Sequence, residues 1–216
     1  MHKEELLGQS IFCIHGLLTS EECAGFIASS EHEGYGDAPI TMGDSAIVLK
    51  DVRNNMRVMV DTPELAAQLF ERARPFLPER LEAMELVGLN ERFRFYRYDP
   101  GQTFTPHYDG SFRRSVSEWS ELTFMVYLND DFEGGETNFF REDGSTTIRV
   151  KPVTGMALVF THPILHEGAV VLSGRKYVIR TDVMYRIPRP KTFHDLEPGS
   201  RRRVVDCNAT GTIGEG

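Results

Sequence analysis

The stretch KYVIRTDVMYR, residues 176–186, decides the fold. Six of its eleven residues are Val, Ile, Thr or Tyr, and it contains neither Gly nor Pro. Side chains of this kind fit a pleated, half-buried strand. Working outward, the same texture returns in RFRFYRY (92–98), LTFMVYL (122–128), TTIRVKP (146–152) and MALVF (156–160). Between these runs lie DPGQ, NDDFEGGE, EDGS and SGR, rich in the residues that form turns. Several short strands at this spacing suggest a β-sandwich or barrel.

The first ninety residues read differently. IFCIH (11–15) is a short strand. Thr19 then opens a helix, with Glu22 three residues on as its capping-box partner, and the helix stops near Gly34. GYGDAPITMGDS (34–45) reads as a surface loop, and the segment 35–50 is long enough to cover a site. Thr62 and Pro63 start a second helix, whose apolar stripe is Leu65, Leu69 and Phe70. PERLEAMEL (78–86) suggests a further short helix. The fold class expected is therefore α+β: a double-stranded β-helix, or cupin-like jelly roll, with N-terminal helices packed on its major sheet. We expect one domain over 1–216, with 1–90 as helical and strand support, 91–187 as the core and 188–216 as a peripheral tail. The Arg201–Arg203 run in that tail reads as exposed charge.

Composition excludes some classes. Twenty-four Lys and Arg against 32 Asp and Glu give a net charge of −8. That balance speaks against general binding to nucleic acid or anionic membrane. Three cysteines, Cys13, Cys23 and Cys207, with no CxxC, point to a reducing compartment rather than a disulfide framework. The N-terminus has no long apolar run after its basic residues, so no signal peptide is expected, nor any membrane span. A cytoplasmic location, or a nuclear one in a eukaryote, is the expectation.

The chemistry starts at FTPHYDG, residues 104–110. In a strand, residues i and i+2 point to one face, so His107 and Asp109 would aim an imidazole and a carboxylate at one point. Taken alone, the pair reads more readily as a satisfied surface turn. A third histidine would complete a 2-His-1-carboxylate facial triad, the ligand set of non-haem Fe(II) oxygenases. FTHPILHEGAVVLSGRKYVIR offers His162 and His166, and spacing does not choose between them. Such an oxygenase also needs a fixed cation for the far carboxylate of a keto acid. Lys176 lies ten residues after His166; Arg180, four further on and on the same strand face, is its rival.

PHYD, then YLNDDFEGGET, then HEGAVVLSGRKYV together resemble the prolyl 4-hydroxylase type of 2-oxoglutarate- and Fe(II)-dependent dioxygenase. The resemblance covers roughly residues 90–187. It implies His107, Asp109 and His166 as iron ligands, with Lys176 holding the C5 carboxylate of 2-oxoglutarate. It implies Tyr127 as a second partner of that carboxylate and Tyr98 as lining the cosubstrate pocket. Arg53, Arg113 and Arg114 are candidates for substrate contact. EGGET reads as a structural turn in which Gly supplies a positive φ.

The activity implied is hydroxylation of a C–H bond, of a prolyl residue in a peptide or protein, coupled to decarboxylation of 2-oxoglutarate to succinate. Its cofactors would be Fe(II), 2-oxoglutarate and O2, with ascorbate keeping the iron reduced. A free amino acid or other small metabolite is the rival substrate. Nucleic-acid demethylation needs a basic groove, which a sequence pI near 5.4 disfavours. A non-catalytic 2-oxoglutarate or oxygen sensor, and a metal hydrolase that needs no keto acid, are the alternatives of another class.

Overall fold

The computed structural model describes residues 1–42, 45–141 and 143–188. The tail beyond Pro188, with its arginine run and Cys207, lies outside the described residues. The chain opens on β1 (His2–Leu7) and β2 (Ile11–His15), then α1 (Ser20–Glu33). Short strands β3 (Gly36–Asp37), β4 (Ile40–Met42) and β5 (Ser45–Ile47) lead to β6 (Met56–Asp61) and α2 (Pro63–Ala73). A 3-10 turn at Arg74–Phe76 precedes β7 (Arg80–Leu81) and β8 (Met84–Leu89). Next come β9 (Arg92–Tyr98), β10 (Phe104–His107), β11 (Glu118–Tyr127), β12 (Glu133–Gly134) and β13 (Thr137–Phe140). The chain continues with β14 (Thr146–Val150), β15 (Ala157–Thr161), β16 (His166–Gly168), β17 (Val171–Ser173) and β18 (Lys176–Arg186).

These strands form a major antiparallel sheet in the order β1-β2-β15-β11-β18-β9-β6-β3 and a minor sheet in the order β10-β16-β13-β14. The side-chain period of two divides the major sheet into two faces. Phe93, Phe95, Leu122, Phe124, Val126, Ala157, Val159, Tyr177 and Ile179 share one apolar cluster with Cys23 of α1 and Ala66, Leu69 and Ala73 of α2. The alternate residues Tyr96, Tyr98, Tyr127, Leu158, Phe160 and Val178 join Phe139 and Val150 of the minor sheet in a second cluster. A strand buried on both faces shows no polar alternation, which explains the continuous apolar texture of LTFMVYL and MALVF.

Both helix starts follow the sequence. Thr19 and Glu22 form a complete capping box. Thr62 accepts from the Leu65 backbone N–H, with Pro63 in the first turn. Three local expectations are corrected. Residues 78–86 contain no helix: β7 and β8 form a hairpin that turns at Glu82, with φ 51°. Met84 is buried and Leu89 pairs with Val183, so sheet pairing outweighs helix propensities of at most about 0.7 kcal/mol per residue. The 35–50 loop contains strands β3, β4 and β5. Strand β10 ends at His107, so Asp109 lies just beyond it rather than within it. No helix among the described residues is long and apolar enough to cross a membrane.

Candidate active site

His107 and His166 are Cα partners across the antiparallel pair β10/β16. Asp109, two residues past the first histidine, turns back toward both. Its Oδ1 lies 3.8 Å from His107 Nε2 and its Oδ2 lies 3.6 Å from His166 Nε2. One ligand atom from each of the three falls within 4.8 Å of the others. Each ring uses its other nitrogen in the same way. His107 Nδ1 is 2.7 Å from the Thr105 carbonyl, and His166 Nδ1 is 2.9 Å from the Ile164 carbonyl. A carbonyl only accepts, so Nδ1 carries the hydrogen and Nε2 presents its lone pair to the centre.

The charge states agree with that geometry. Burial, with His166 adding to it, lowers the His107 pKa to about 3, and burial lowers that of His166. Burial opposes ionisation of Asp109, yet Arg180, the two histidines and the Thr123 hydrogen bond hold its carboxyl well below the usual range. Two neutral imidazoles and one carboxylate are the donor set of a divalent cation with open positions.

His162 lies outside that cluster of three. Thr123 Oγ1 donates to Asp109 Oδ2 at 2.6 Å, and His162 Nδ1 lies 3.1 Å from the same hydroxyl. The threonine proton is committed to the carboxylate, so His162 Nδ1 donates to Thr123. His162 Nε2 then accepts from Ser120 Oγ at 2.9 Å. His162 thus stands one residue behind Asp109, as part of its support.

Strand β18 gives the pocket its floor. Lys176, Val178 and Arg180 face it on alternate positions, together with Tyr96 and Tyr98 of β9 and Thr123 and Met125 of β11. Arg180 Nη2 lies 3.1 Å from Asp109 Oδ1 and 3.4 Å from Asp182 Oδ1. Lys176 is 2 % exposed. Its Nζ donates to the Gly135 carbonyl at 2.6 Å and lies 5.2 Å from the Tyr98 ring centroid and 5.5 Å from that of Tyr127. It makes no ion pair among the described residues, and burial lowers its pKa to about 7. Its one hydrogen-bond partner among the described residues is thus a neutral carbonyl. Gly134 and Gly135 hold φ of +72° and +67°. A Cβ on Gly134 would come within 2.4 Å of the Val170 carbonyl, so EGGET has to carry glycine there. The Tyr127 hydroxyl pairs with Thr137 Oγ1 at 2.8 Å.

The three arginine candidates separate. Arg53 is buried and lines an outer cleft shared with His107, Asp109 and Arg180. Arg113 lies over Trp119 beside a different depression, next to His162. Arg114 is engaged by Glu91 and Glu118 and lines neither the pocket nor the cleft. Sequence reasoning missed Thr123, Asp182, Arg57, Arg94 and Tyr96. Arg94, Tyr96 and Tyr98 alternate along RFRFYRY, a period that could have drawn attention to them.

Known proteins resemble the chain over the same region. Residues 93–181 match the family described as the 2OG-Fe(II) oxygenase superfamily. The chain is 27% identical over 190 residues to prolyl 4-hydroxylase 1 of Arabidopsis thaliana, covering 77% of this chain and 66% of that protein. It is 28% identical over 179 residues to a PKHD-type hydroxylase of Paracoccus denitrificans, covering 77% and 74%. A prolyl hydroxylase from Trichoplax adhaerens, solved with a hypoxia inducible factor oxygen degradation domain peptide fragment, superposes with a TM-score of 0.63 at 16% identity, over 81% of this chain and 83% of that one. Residues 93–181 thus resemble the 2OG-Fe(II) oxygenases, and the relatives that match more widely carry prolyl 4-hydroxylase and PKHD-type hydroxylase names. The class is an oxidoreductase whose cofactors are Fe(II), 2-oxoglutarate and O2.

Proposed function

We propose that the chain hydroxylates a prolyl residue in a peptide or protein, with residues 91–187 as the jelly-roll core of one domain. His107, Asp109 and His166 hold Fe(II), and Lys176 holds the C5 carboxylate of 2-oxoglutarate. The observation that carries this reading is Lys176: a fully buried cation, without a carboxylate partner among the described residues, opening on the same pocket as the triad. A buried charge is costly until it is paired, so the site waits for an anion. Arg180 is less suited to that task because Asp109 and Asp182 already engage it.

The metal and keto acid supply the oxidising chemistry, coupling decarboxylation to succinate with insertion of oxygen into a C–H bond. The chain's residues do the rest. His162 and Thr123 fix the Asp109 carboxylate. Thr105 and Ile164 fix the two imidazoles through Nδ1. Tyr98 walls the keto-acid pocket, and Tyr127, braced by Thr137, backs the lysine. The apolar rings of Phe104 and Phe160 exclude water beside the triad.

A peptide substrate is favoured by the relatives, two of which carry prolyl hydroxylase names, one of them solved with a peptide. The test is incubation with Fe(II), 2-oxoglutarate and a set of proline-containing peptides, with succinate release and the gain of one oxygen read by mass spectrometry. Stoichiometric succinate and hydroxyproline are expected. Turnover of free amino acids alone would overturn the peptide reading.

A further inference from the structure

The outer cleft holds about 680 Å³ and opens on His107 and Asp109. Four arginines line it: Arg53, Arg57, Arg94 and Arg180. Two carboxylates stand against them. Asp182 is buried, 3.2 Å from Arg94 and 3.4 Å from Arg180. Asp109, which Arg180 also touches, is a proposed metal ligand. Arg53 and Arg57 make no ion pair among the described residues.

Arg53 is held in a way that prepares it for a ligand. It is 5 % exposed, and its guanidinium stacks between the rings of Tyr96, at 4.5 Å, and Phe104, at 4.3 Å. Its Nε donates to Asn55 Oδ1 at 2.8 Å. Its Nη2 is buried and finds no partner among the described residues. An unpaired buried donor is costly, so such a group is either a defect or one half of a site. Its neighbours report the same excess of positive charge. Burial lowers the Arg57 pKa, Tyr96 opposes, and Arg53, Arg94 and Arg180 push it further down. Burial alone would raise the Tyr96 phenol, yet Arg53, Arg180 and Arg94 bring it to about 8. The chain as a whole carries −8, so this cleft is a local reversal of sign.

We infer that the substrate carries a carboxylate, which Arg53 and Arg57 receive while the C–H bond to be oxidised lies over His107 and Asp109. Guanidinium forks match carboxylates in plane and charge, and the stacked Arg53 is already ordered for that contact. The inference rests on the proposed oxygenase reading and names its substrate class. The carboxylate can come from an Asp or Glu flanking a proline in a peptide, or from the α-carboxylate of a free amino acid.

The test is calorimetric titration of the anaerobic Fe(II)- and 2-oxoglutarate-loaded protein. The ligands are one proline peptide flanked by Glu, by Gln or by Lys, and free proline. The Glu peptide is expected to bind about ten- to a hundredfold tighter than the Lys peptide, with affinity falling as salt rises. Arg57→Glu should reverse that order, and Arg57→Lys should restore part of it. Arg57 is only half-buried, so these variants spare the stacked core around Arg53. Tight binding of free proline, lost in Arg57→Glu, supports the inference with the α-carboxylate as the source. Equal binding of all three peptides together with weak free proline overturns it, as does preference for Lys. The visible absorption of the Fe(II)–2-oxoglutarate complex, read in the same samples, separates the two failures. If the band is absent, the oxygenase reading has failed; if it is present without any charge preference, this inference alone has failed.

Discussion

His107 and His166 face each other across β10 and β16, their ring centroids 4.3 Å apart, each pinned through Nδ1 to the carbonyl two residues before it. Backbone alone therefore fixes both Nε2 atoms toward one point. Asp109 has no such backbone anchor among the described residues and depends on side chains from β11 and β18.

That dependence makes Thr123 the support to test. Thr123→Val keeps the shape and removes the hydroxyl that donates to Asp109 and accepts from His162. Metal affinity is expected to fall about 10- to 100-fold, as for other groups that orient a ligand. Stability should drop by about 1–3 kcal/mol, because His162 Nδ1 is left unpaired and buried. Fe(II) titration and urea melts measure the two effects. Unchanged metal affinity would assign Thr123 to packing alone.

Lys176 ties ligand binding to pH. Its folded pKa of about 7 lies below the ordinary 10.5, so the unfolded chain binds more protons between those values. This group's unfavourable contribution to stability is therefore fully present below pH 7 and relieved as pH rises toward 10.5. Lys176→Met removes a buried charge and should leave the apo protein as stable or more so at pH 7, with a flatter pH dependence. The same variant should lose 2-oxoglutarate binding. Wild-type protein at pH 8 should take up a proton on binding 2-oxoglutarate, seen by calorimetry in buffers of different ionisation heat. Binding without proton uptake would mean that the lysine is already charged.

Tyr96 offers a spectroscopic reading of the cleft. Among the tyrosines with resolved shifts, its phenol alone is lowered, to about 8, against burial. Absorbance titration should reveal one tyrosinate forming near pH 8. Because the folded form is the more acidic, this group's stabilising contribution appears as pH rises through 8 and is complete above the ordinary 10. Replacing Arg53 by Met should move the transition upward, since burial then acts with less opposition. A single transition at pH 10 or above in wild type would deny the cationic field.

The strands of the core were legible because their residues are apolar on both faces and their turns are spelled in Gly, Asp and Asn. The two capped helices were legible for a similarly local reason: Thr19, Glu22, Thr62 and Pro63 act within one turn. The hairpin at 80–89 was not, because β8 owes its form to pairing with β18, nearly a hundred residues later. The same distinction runs through the site. His107 and Asp109 stand two residues apart and could be read together. The choice of His166 over His162 depends on which of them pairs across from β10, and His162 instead faces Thr123 and Ser120. The arginine cleft escaped notice because Arg53 and Arg57 meet Arg94 and Arg180 only after β6, β9 and β18 have paired.

The most direct measurement is anaerobic titration of the protein with Fe(II) and 2-oxoglutarate, following visible absorption. A weak charge-transfer band should appear only with both present, saturate at one iron per chain, and vanish in His166→Ala and Lys176→Met while surviving in His162→Gln. A band that persists without His166, or fails in His162→Gln with the fold intact, would contradict the assignment of the metal centre.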